Sequence, residues 1–289
     1  MSYDSLKMLK VRIDKGVAFV TIDNPPMNLL NFPMIIEFAT LANTVKGDDN
    51  VRVIVFDSAD PDFFIAHFDV KGLVTMPDEA PPKKKSIENT IHAINEMYRT
   101  MPKVSIAKVE GVVRGGGCEF ILSFDMVFGE LGKAIFAQPE IGVGIIPGGG
   151  GTIRIPRLVG RMRAMEIVLG GHDFPAEIAE RYGLINRALP PDKLTLYVEN
   201  LAYRIASFPP ESIAIAKKSV LAGVEMPVID ALLEEQYLFG QAVALSTSKT
   251  RMKFVLDSGG QSREWERNAN TLLEKQEETP FANLEKKDD

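Results

Sequence analysis

Cysteine and histidine are scarce in this chain. A single thiol, Cys118, cannot form an internal disulfide and excludes a cysteine-built zinc site. Three histidines, His67, His92 and His172, stand too far apart in sequence to suggest a metal cluster, so no metal site is expected. No apolar run approaches the roughly 20 residues of a membrane-crossing helix. The opening residues, Met1 to Lys7, lack the apolar core of a signal peptide. The expectation is a soluble, cytoplasmic protein with no membrane partner. A basic surplus is missing too. Lys and Arg number 33 against 39 Asp and Glu, a net charge of −6, which argues against nucleic acid as a partner. What is present is ordinary globular usage: 45% hydrophobic and 25% charged residues over 289 positions exclude wholesale disorder and allow a sizeable core.

The first two-thirds alternates short apolar runs with amphipathic stretches. Residues 17–22, 51–56 and 104–109 are rich in β-branched residues and read as strands. Between them, Pro33 suits the first turn of a helix whose face is Met34, Phe38, Leu41 and Val45. Ser86 suits the cap of another, with Ile87, Ile91, Ile94 and Tyr98 on one side. Such alternation predicts an α/β fold with helices covering a largely parallel sheet. Residues 77–86 read as a loop, with Lys83, Lys84 and Lys85 as a solvated charge run. From Pro191 onward the periodicity is helical, and the charged tail from Glu274 to Asp289 reads as frayed. The expected division is a core of residues 1–205 and a helical region of residues 206–289.

The unusual chemistry lies between residues 111 and 152. Gly111-Val-Val-Arg-Gly-Gly-Gly-Cys-Glu119 follows a strand and precedes an apolar helix, Phe120 to Phe124. Consecutive glycines let a ligand approach main-chain N–H groups at a helix start, where donors are unpaired. A phosphate loop needs Lys and then Ser or Thr after the last glycine, whereas Cys118 and Glu119 stand here, and an acid repels phosphate. The dinucleotide fingerprint is also incomplete. A hole for a developing oxyanion, with a carboxylate beside it, fits better; one such donor is worth roughly 3 kcal/mol in a transition state. Glu140 is the one acid in the apolar, glycine-rich stretch from Phe136 to Thr152. Apolar surroundings disfavour its charged form and suit it to donate a proton. Two carboxylates in unlike surroundings are what acid–base work on one substrate requires. Spacing leaves a plainer reading open: Glu119 as a first-turn acid complementing the helix dipole, and Glu140 as a surface residue after a proline.

Three motifs in order decide between them: Lys108 to Glu119, Phe136-Ala-Gln-Pro-Glu140, and Pro147-Gly-Gly-Gly-Gly-Thr-Ile-Arg154. Together they resemble the crotonase superfamily of enoyl-CoA hydratases and isomerases. Residues 164–184 and 208–217 are similar to its downstream helices, and similarity runs over about residues 10–222. The resemblance implies a spiral of ββα turns with a helical C-terminal trimerisation region, and hence a homotrimer or a dimer of trimers. It implies acyl-CoA thioesters as substrates and no cofactor beyond the CoA they carry. By position, the amides of Phe68 and Gly116 would hold the thioester oxygen, and Ala66 would meet the CoA adenine through its carbonyl. Glu119 would activate the water that attacks the β-carbon, and Glu140 would protonate the α-carbon. The expected function is reversible hydration of a trans-2-enoyl-CoA. The alternatives are a crotonase-type isomerase or hydrolase and, outside enzymes, a non-catalytic binding scaffold. His67-Phe68 stands where the family has a small pair, which implies a reshaped acyl pocket. The interval from Glu119 to Glu140 is one residue longer than expected, and residues 223–289 leave the family pattern.

Other residues have plainer expectations. His67 is read as a packing or solvent-facing side chain, Arg114 as half of a structural ion pair, and Asp125 as structural. Cys118 is read as a small packing residue, although a helix start lowers a thiol pKa. Asn28 is read as capping a turn.

Overall fold

A computed structural model of the chain describes residues 3–79, 82–83 and 90–269. Ser86, Ile87, Lys84, Lys85 and the tail from Glu274 fall outside the described residues. Two compact units emerge, residues 1–206 and 207–289.

Among the described residues the first unit holds ten strands: β1 (Leu9–Asp14), β2 (Val17–Ile22), β3 (Val53–Ser58), β4 (Phe63–Ile65), β5 (Val104–Val109), β6 (Val112–Arg114), β7 (Met126–Glu130), β8 (Ile135–Ala137), β9 (Phe174–Pro175) and β10 (Arg187–Leu189). They form two sheets. The larger has the order β1-β2-β3-β5-β7-β10, and the smaller β4-β6-β8-β9. Only β1 with β2 and β8 with β9 are antiparallel; the rest are parallel. Consecutive strands β3 and β4, β5 and β6, and β7 and β8 fall one in each sheet, and a helix then returns the chain. This is the ββα spiral that the resemblance implied.

The helices of this unit are α1 (Phe32–Lys46), α2 (Val70–Val74), α3 (Thr90–Thr100), α4 (Gly116–Ile121), α5 (Gly151–Val159), α6 (Arg161–Gly170), α7 (Ala176–Tyr182) and α8 (Pro191–Ala206). Asn31 caps α1 by accepting the Met34 amide, and Pro33 sits in its first turn as expected. The strand expected at 51–56 begins two residues later. The Val51 amide donates to Asp48 O and closes the turn after α1, so Val51 does not join the ladder. The glycine run does not precede its helix: Gly116 and Gly117 form the first turn of α4.

The core between α1, α3 and α4 is aromatic. Phe38 and Phe120 stack with centroids 4.3 Å apart, and Phe56, Tyr98 and Phe124 pack around them edge-on or tilted. The fully buried Tyr98 hydroxyl donates to Phe38 O at 2.8 Å, so this polar atom is satisfied inside the core. Asn28 does more than cap a turn. Its buried Nδ2 donates to Ser58 Oγ at 2.8 Å and reaches the carbonyls of Phe63 and Phe64, tying the chain before α1 to β3 and β4.

The second unit is helical: α9 (Pro210–Glu225), α10 (Val228–Ala244), α11 (Ser246–Asp257) and α12 (Arg263–Arg267). Within the part that leaves the family pattern, a turn at residues 258–262 leads into α12, capped by Ser262 Oγ, which accepts the Trp265 amide. Among the described residues no helix is long and apolar enough to cross a membrane.

Close approach of β4 to α4 fixes the site described next. A methyl group on Gly117 would lie 2.5 Å from Ile65 Cγ2 and 3.0 Å from Ile65 O. Gly117→Ala should therefore destabilise the fold by about 1–3 kcal/mol, read as a lower urea midpoint; an unchanged midpoint would show that this contact relaxes freely.

Candidate active site

Three parallel strands of the smaller sheet end side by side, and each hands over to a segment carrying candidate residues. β4 leads into Ala66, His67 and Phe68. β6 leads into Gly115, Gly116 and Glu119. β8 leads into Gln138 and Glu140. Residues as far apart in sequence as Ala66 and Glu140 thus meet at one sheet edge.

Phe68 and Gly116 are neighbours: a Cβ on Gly116 would lie 3.3 Å from Phe68 Cβ and 3.2 Å from Leu30 Cδ2. Leu30 bridges Phe68 in parallel fashion. Its N–H donates to His67 O at 2.9 Å, and its carbonyl accepts the Asp69 amide at 3.0 Å. Extended backbone alternates its amide directions, so the Phe68 N–H points away from Leu30. The Gly116 N–H belongs to the first turn of α4 and has no intrahelical acceptor. Among the described residues neither amide donates to a backbone carbonyl outside its own element. Ala66 is buried, and its amide donates to Met27 O at 3.3 Å.

Glu119 is 3% exposed. Its Oε1 accepts the amides of Gly149 at 2.8 Å and Gly151 at 2.7 Å. The carboxylate lies directly on this backbone: a Cβ at Gly149 would come within 2.7 Å of Glu119 Oε2. Burial raises the Glu119 pKa, and the Gly151 and Gly149 amides only partly offset it. Behind that turn, Gly149 O accepts Asn95 Nδ2 at 2.9 Å and Arg154 Nη1 at 3.1 Å. Arg154 Nη2 continues to Glu96 Oε1 at 2.6 Å, and Arg99 clamps Glu96 from the other side. Burial acts to raise the Glu96 pKa, but these two guanidinium groups hold it below its ordinary value.

Glu140 opens a single 3₁₀ turn, Glu140–Val143, and is also buried. With its amide nitrogen turned toward Glu140, Gln138 stands 3.3 and 3.2 Å from the two carboxylate oxygens. Gly115 has a positive φ of 51°, and a Cβ there would lie 2.9 Å from Glu140 Oε1; both the backbone and the carboxylate demand glycine. Burial, aided by the negative charge of Glu119, raises the Glu140 pKa from 4.5 to about 7. The two acids therefore feel each other despite the extra residue between them. A methyl group on Gly151 would lie 3.1 Å from both Glu119 Oε1 and the Gln138 amide, so both side chains pack against this glycine.

The sequence profile of the enoyl-CoA hydratase/isomerase family matches residues 12–257. This chain belongs to that family. An orangutan (Pongo abelii) mitochondrial enoyl-CoA hydratase is 33% identical over 82% of this chain and 79% of its own length. The short-chain-enoyl-CoA hydratase of Clostridium acetobutylicum is 30% identical over 83% of this chain and 91% of its own. The crystal structure of a Bacillus anthracis enoyl-CoA hydratase superposes with a TM-score of 0.80 at 24% identity, covering 88% of this chain and 97% of that one, and shows the same fold. The protein is an enoyl-CoA hydratase-like enzyme of the crotonase superfamily, and membership implies an acyl-CoA substrate.

Several residues of this crotonase-fold site carried no role in the sequence reading. Gln138 stands two positions before Glu140, within the same motif. Asn95 is a polar residue within the apolar stripe of α3 and is 1% exposed, a signal that it serves a buried partner. Arg154 follows the last glycine run by three residues. Arg114 pairs with Asp173 at 2.5 Å, and Asp125 Oδ2 accepts the Ser105 amide and hydroxyl. The His67 ring nitrogen Nδ1 lies 2.8 Å from Phe68 O. Cys118 is fully buried, and burial pushes its thiol up to about 12, the reverse of the effect of an exposed helix start. Among the described residues no group of three or more His, Cys, Asp and Glu could hold a metal ion.

The raised Glu140 pKa has a thermodynamic consequence. The folded protein binds this proton more tightly than the unfolded chain. The stability it contributes is fully present below about pH 4.5 and is lost as pH rises through about 7. Glu140→Gln removes the titration. Relative to that variant, wild type should lose on the order of 1–3 kcal/mol between pH 5 and pH 8, measured by urea unfolding at both values. Equal differences at the two pH values would contradict the burial argument.

Proposed function

We propose that this enzyme adds water reversibly across the double bond of a trans-2-enoyl-CoA. The observation that carries the proposal is a pair of buried glutamates, close enough for the charge of one to act on the other, in unlike environments. Glu119 is fixed by two backbone amides, whereas Glu140 is poised to hold a proton near neutral pH.

In this reading the thioester oxygen sits between the amides of Phe68 and Gly116. Those amides stabilise the negative charge that reaches the oxygen only as the enolate forms. The Glu119 carboxylate takes a proton from water as its oxygen bonds to the β-carbon. The protonated Glu140 then gives its proton to the α-carbon, and the enolate collapses to the saturated thioester. Glu119 ends protonated and Glu140 ionised, so one proton exchange restores the starting state. Near neutral pH, Glu140 at about 7 is divided between its two forms, which suits a group that must donate in one direction and accept in the other. No group beyond the CoA that arrives with the substrate is required. We place the CoA adenine against the Ala66 carbonyl, at the head of the segment that supplies Phe68.

The C-terminal helices support a second element of the proposal, assembly into trimers. Val228, Ile229, Leu232, Leu233 and Phe239 of α10 are all more than half exposed, an apolar surface that an isolated helix leaves uncovered.

The test is loss of enoyl absorbance from crotonyl-CoA. Wild type should turn it over, and Glu119→Gln and Glu140→Gln should each lower kcat on the order of 10²–10⁴-fold while the fold is retained. Full activity in both variants would remove these roles. Turnover of a 3-enoyl-CoA without hydration of crotonyl-CoA would favour an isomerase.

A further inference from the structure

Arg114 is the last residue of β6, and its guanidinium grips Asp173 with two prongs: Nε donates to Oδ1 at 2.7 Å and Nη2 to Oδ2 at 2.5 Å. The strands so joined are not neighbours. β8 runs between them, with Ala137 opposite Arg114, and with Phe136 opposite Phe174, the residue after Asp173. Carried one step further, the antiparallel register sets Ala137 opposite Asp173. The pair therefore straddles β8 at its last residue, on the face where Ala137 has only a methyl group to pass over. From that residue the chain leaves for Gln138 and Glu140. The Glu140 turn is supported locally by its own backbone, with Gly142 N donating to Pro139 O and Ile145 N to Glu140 O. Residues 141–146 are exposed, so no packing within the chain holds them down. Two further contacts come from the segments that the pair joins. The Gly115 amide, next to Arg114, donates to Ala137 O at 3.0 Å. A Cβ on Gly171, two residues before Asp173, would lie 3.2 Å from Ile141 Cγ2 and 3.7 Å from both Gln138 O and Pro139 Cα.

We propose that Arg114 and Asp173 are positioning residues for Glu140: by clamping β6 to the chain that enters β9, they keep the Glu140 turn seated between Gly115 and Gly171. The proposal rests on the hydration reading for the role of Glu140. Global stability does not account for the pair, because side chains 30% and 47% exposed contribute little as an ion pair. What a two-pronged guanidinium–carboxylate contact supplies is fixed distance and orientation. The turn needs that. Glu140 Oε1 lies 2.9 Å from where a Cβ on Gly115 would stand, so the carboxyl touches the backbone beside Arg114, and an outward shift of the turn opens that contact to water. The hydrogen bonds from Arg114 also hold the Asp173 carboxyl below its ordinary value, so both partners stay charged through neutral pH. A lysine in place of Arg114 keeps the charge but not the fork.

The experiment compares Arg114→Met, Asp173→Asn, the double variant and Arg114→Lys with wild type by two readouts. The first is hydration of crotonyl-CoA. Either Arg114→Met or Asp173→Asn should lower kcat about 10-fold or more and move KM by less than about 3-fold, because reacting geometry is lost while substrate contacts remain. The double variant should be no slower than these two, since either change alone opens the clamp. Arg114→Lys should keep part of the rate. The second readout is the change in urea-unfolding stability from about pH 5 to about pH 8, each protein measured against its own Glu140→Gln form. Glu140 titrates at about 7 in the fold, and a loosened turn hydrates its carboxyl and lowers that value. Less stability is then lost as pH rises, and the change should shrink by about half or more in both variants. Wild-type kcat with a wild-type pH response in the folded variants overturns the proposal. So does a loss confined to Asp173→Asn, which leaves the Arg114 cation without its carboxylate; that result assigns a charge effect and no clamp. A raised KM at unchanged kcat overturns it too, because it marks a substrate contact. If wild type hydrates no crotonyl-CoA while both variants still weaken the pH response, the clamp stands and the hydration reading fails.

Discussion

A carboxylate buried against bare backbone is the constraint on which this site depends. Glu119 has no room for a neighbour with a side chain at Gly149, and its Oε1 is held by the Gly149 and Gly151 amides. Those amides are held in turn, because Asn95 and Arg154 both grip the Gly149 carbonyl. The result is a buried carboxyl group held by fixed backbone dipoles. Its charge then acts on Glu140, which burial has already shifted toward its neutral form. Unlike environments for two like groups follow from geometry alone: one acid sits on amides, and the other faces an amide side chain and a glycine.

The spiral fold serves this arrangement by splitting each strand pair between two sheets. The long strands β2, β3, β5 and β7 build the core, and the three-residue strands β4, β6 and β8 act as guides. Being parallel and adjacent, the guides release their chains at the same edge, where the amides of Phe68 and Gly116 and both glutamates gather. The aromatic cluster behind α4 holds the Glu119 helix from the other side.

Much of the scaffold was legible in the sequence, for physical reasons that differ by element. Residues 17–22 and 104–109 are short runs rich in β-branched residues on strands buried on both faces, and they read correctly. The short guide strands were invisible, because three residues show no periodicity and their neighbours Asp62 and Gly111 read as turn. Glycine content marked the stretch whose backbone approaches both glutamates, but not that Gly116 and Gly117 are themselves helical. The glutamates stood out by their apolar context, whereas Gln138, Asn95 and Arg154 did not, because what they bind comes from distant segments or from backbone turns. Cys118 shows the same limit: its chain position suggested a reactive helix start, and only the packing around it makes the thiol inert.

The most direct test is a crystal structure of the enzyme with butyryl-CoA, which carries the thioester but no double bond to react. The account predicts the thioester oxygen at about 2.7–3.1 Å from both the Phe68 and the Gly116 amide nitrogens, with the α- and β-carbons between Glu119 and Glu140. A thioester oxygen turned away from either amide, or acyl carbons lying outside the space the two glutamates share, would contradict it.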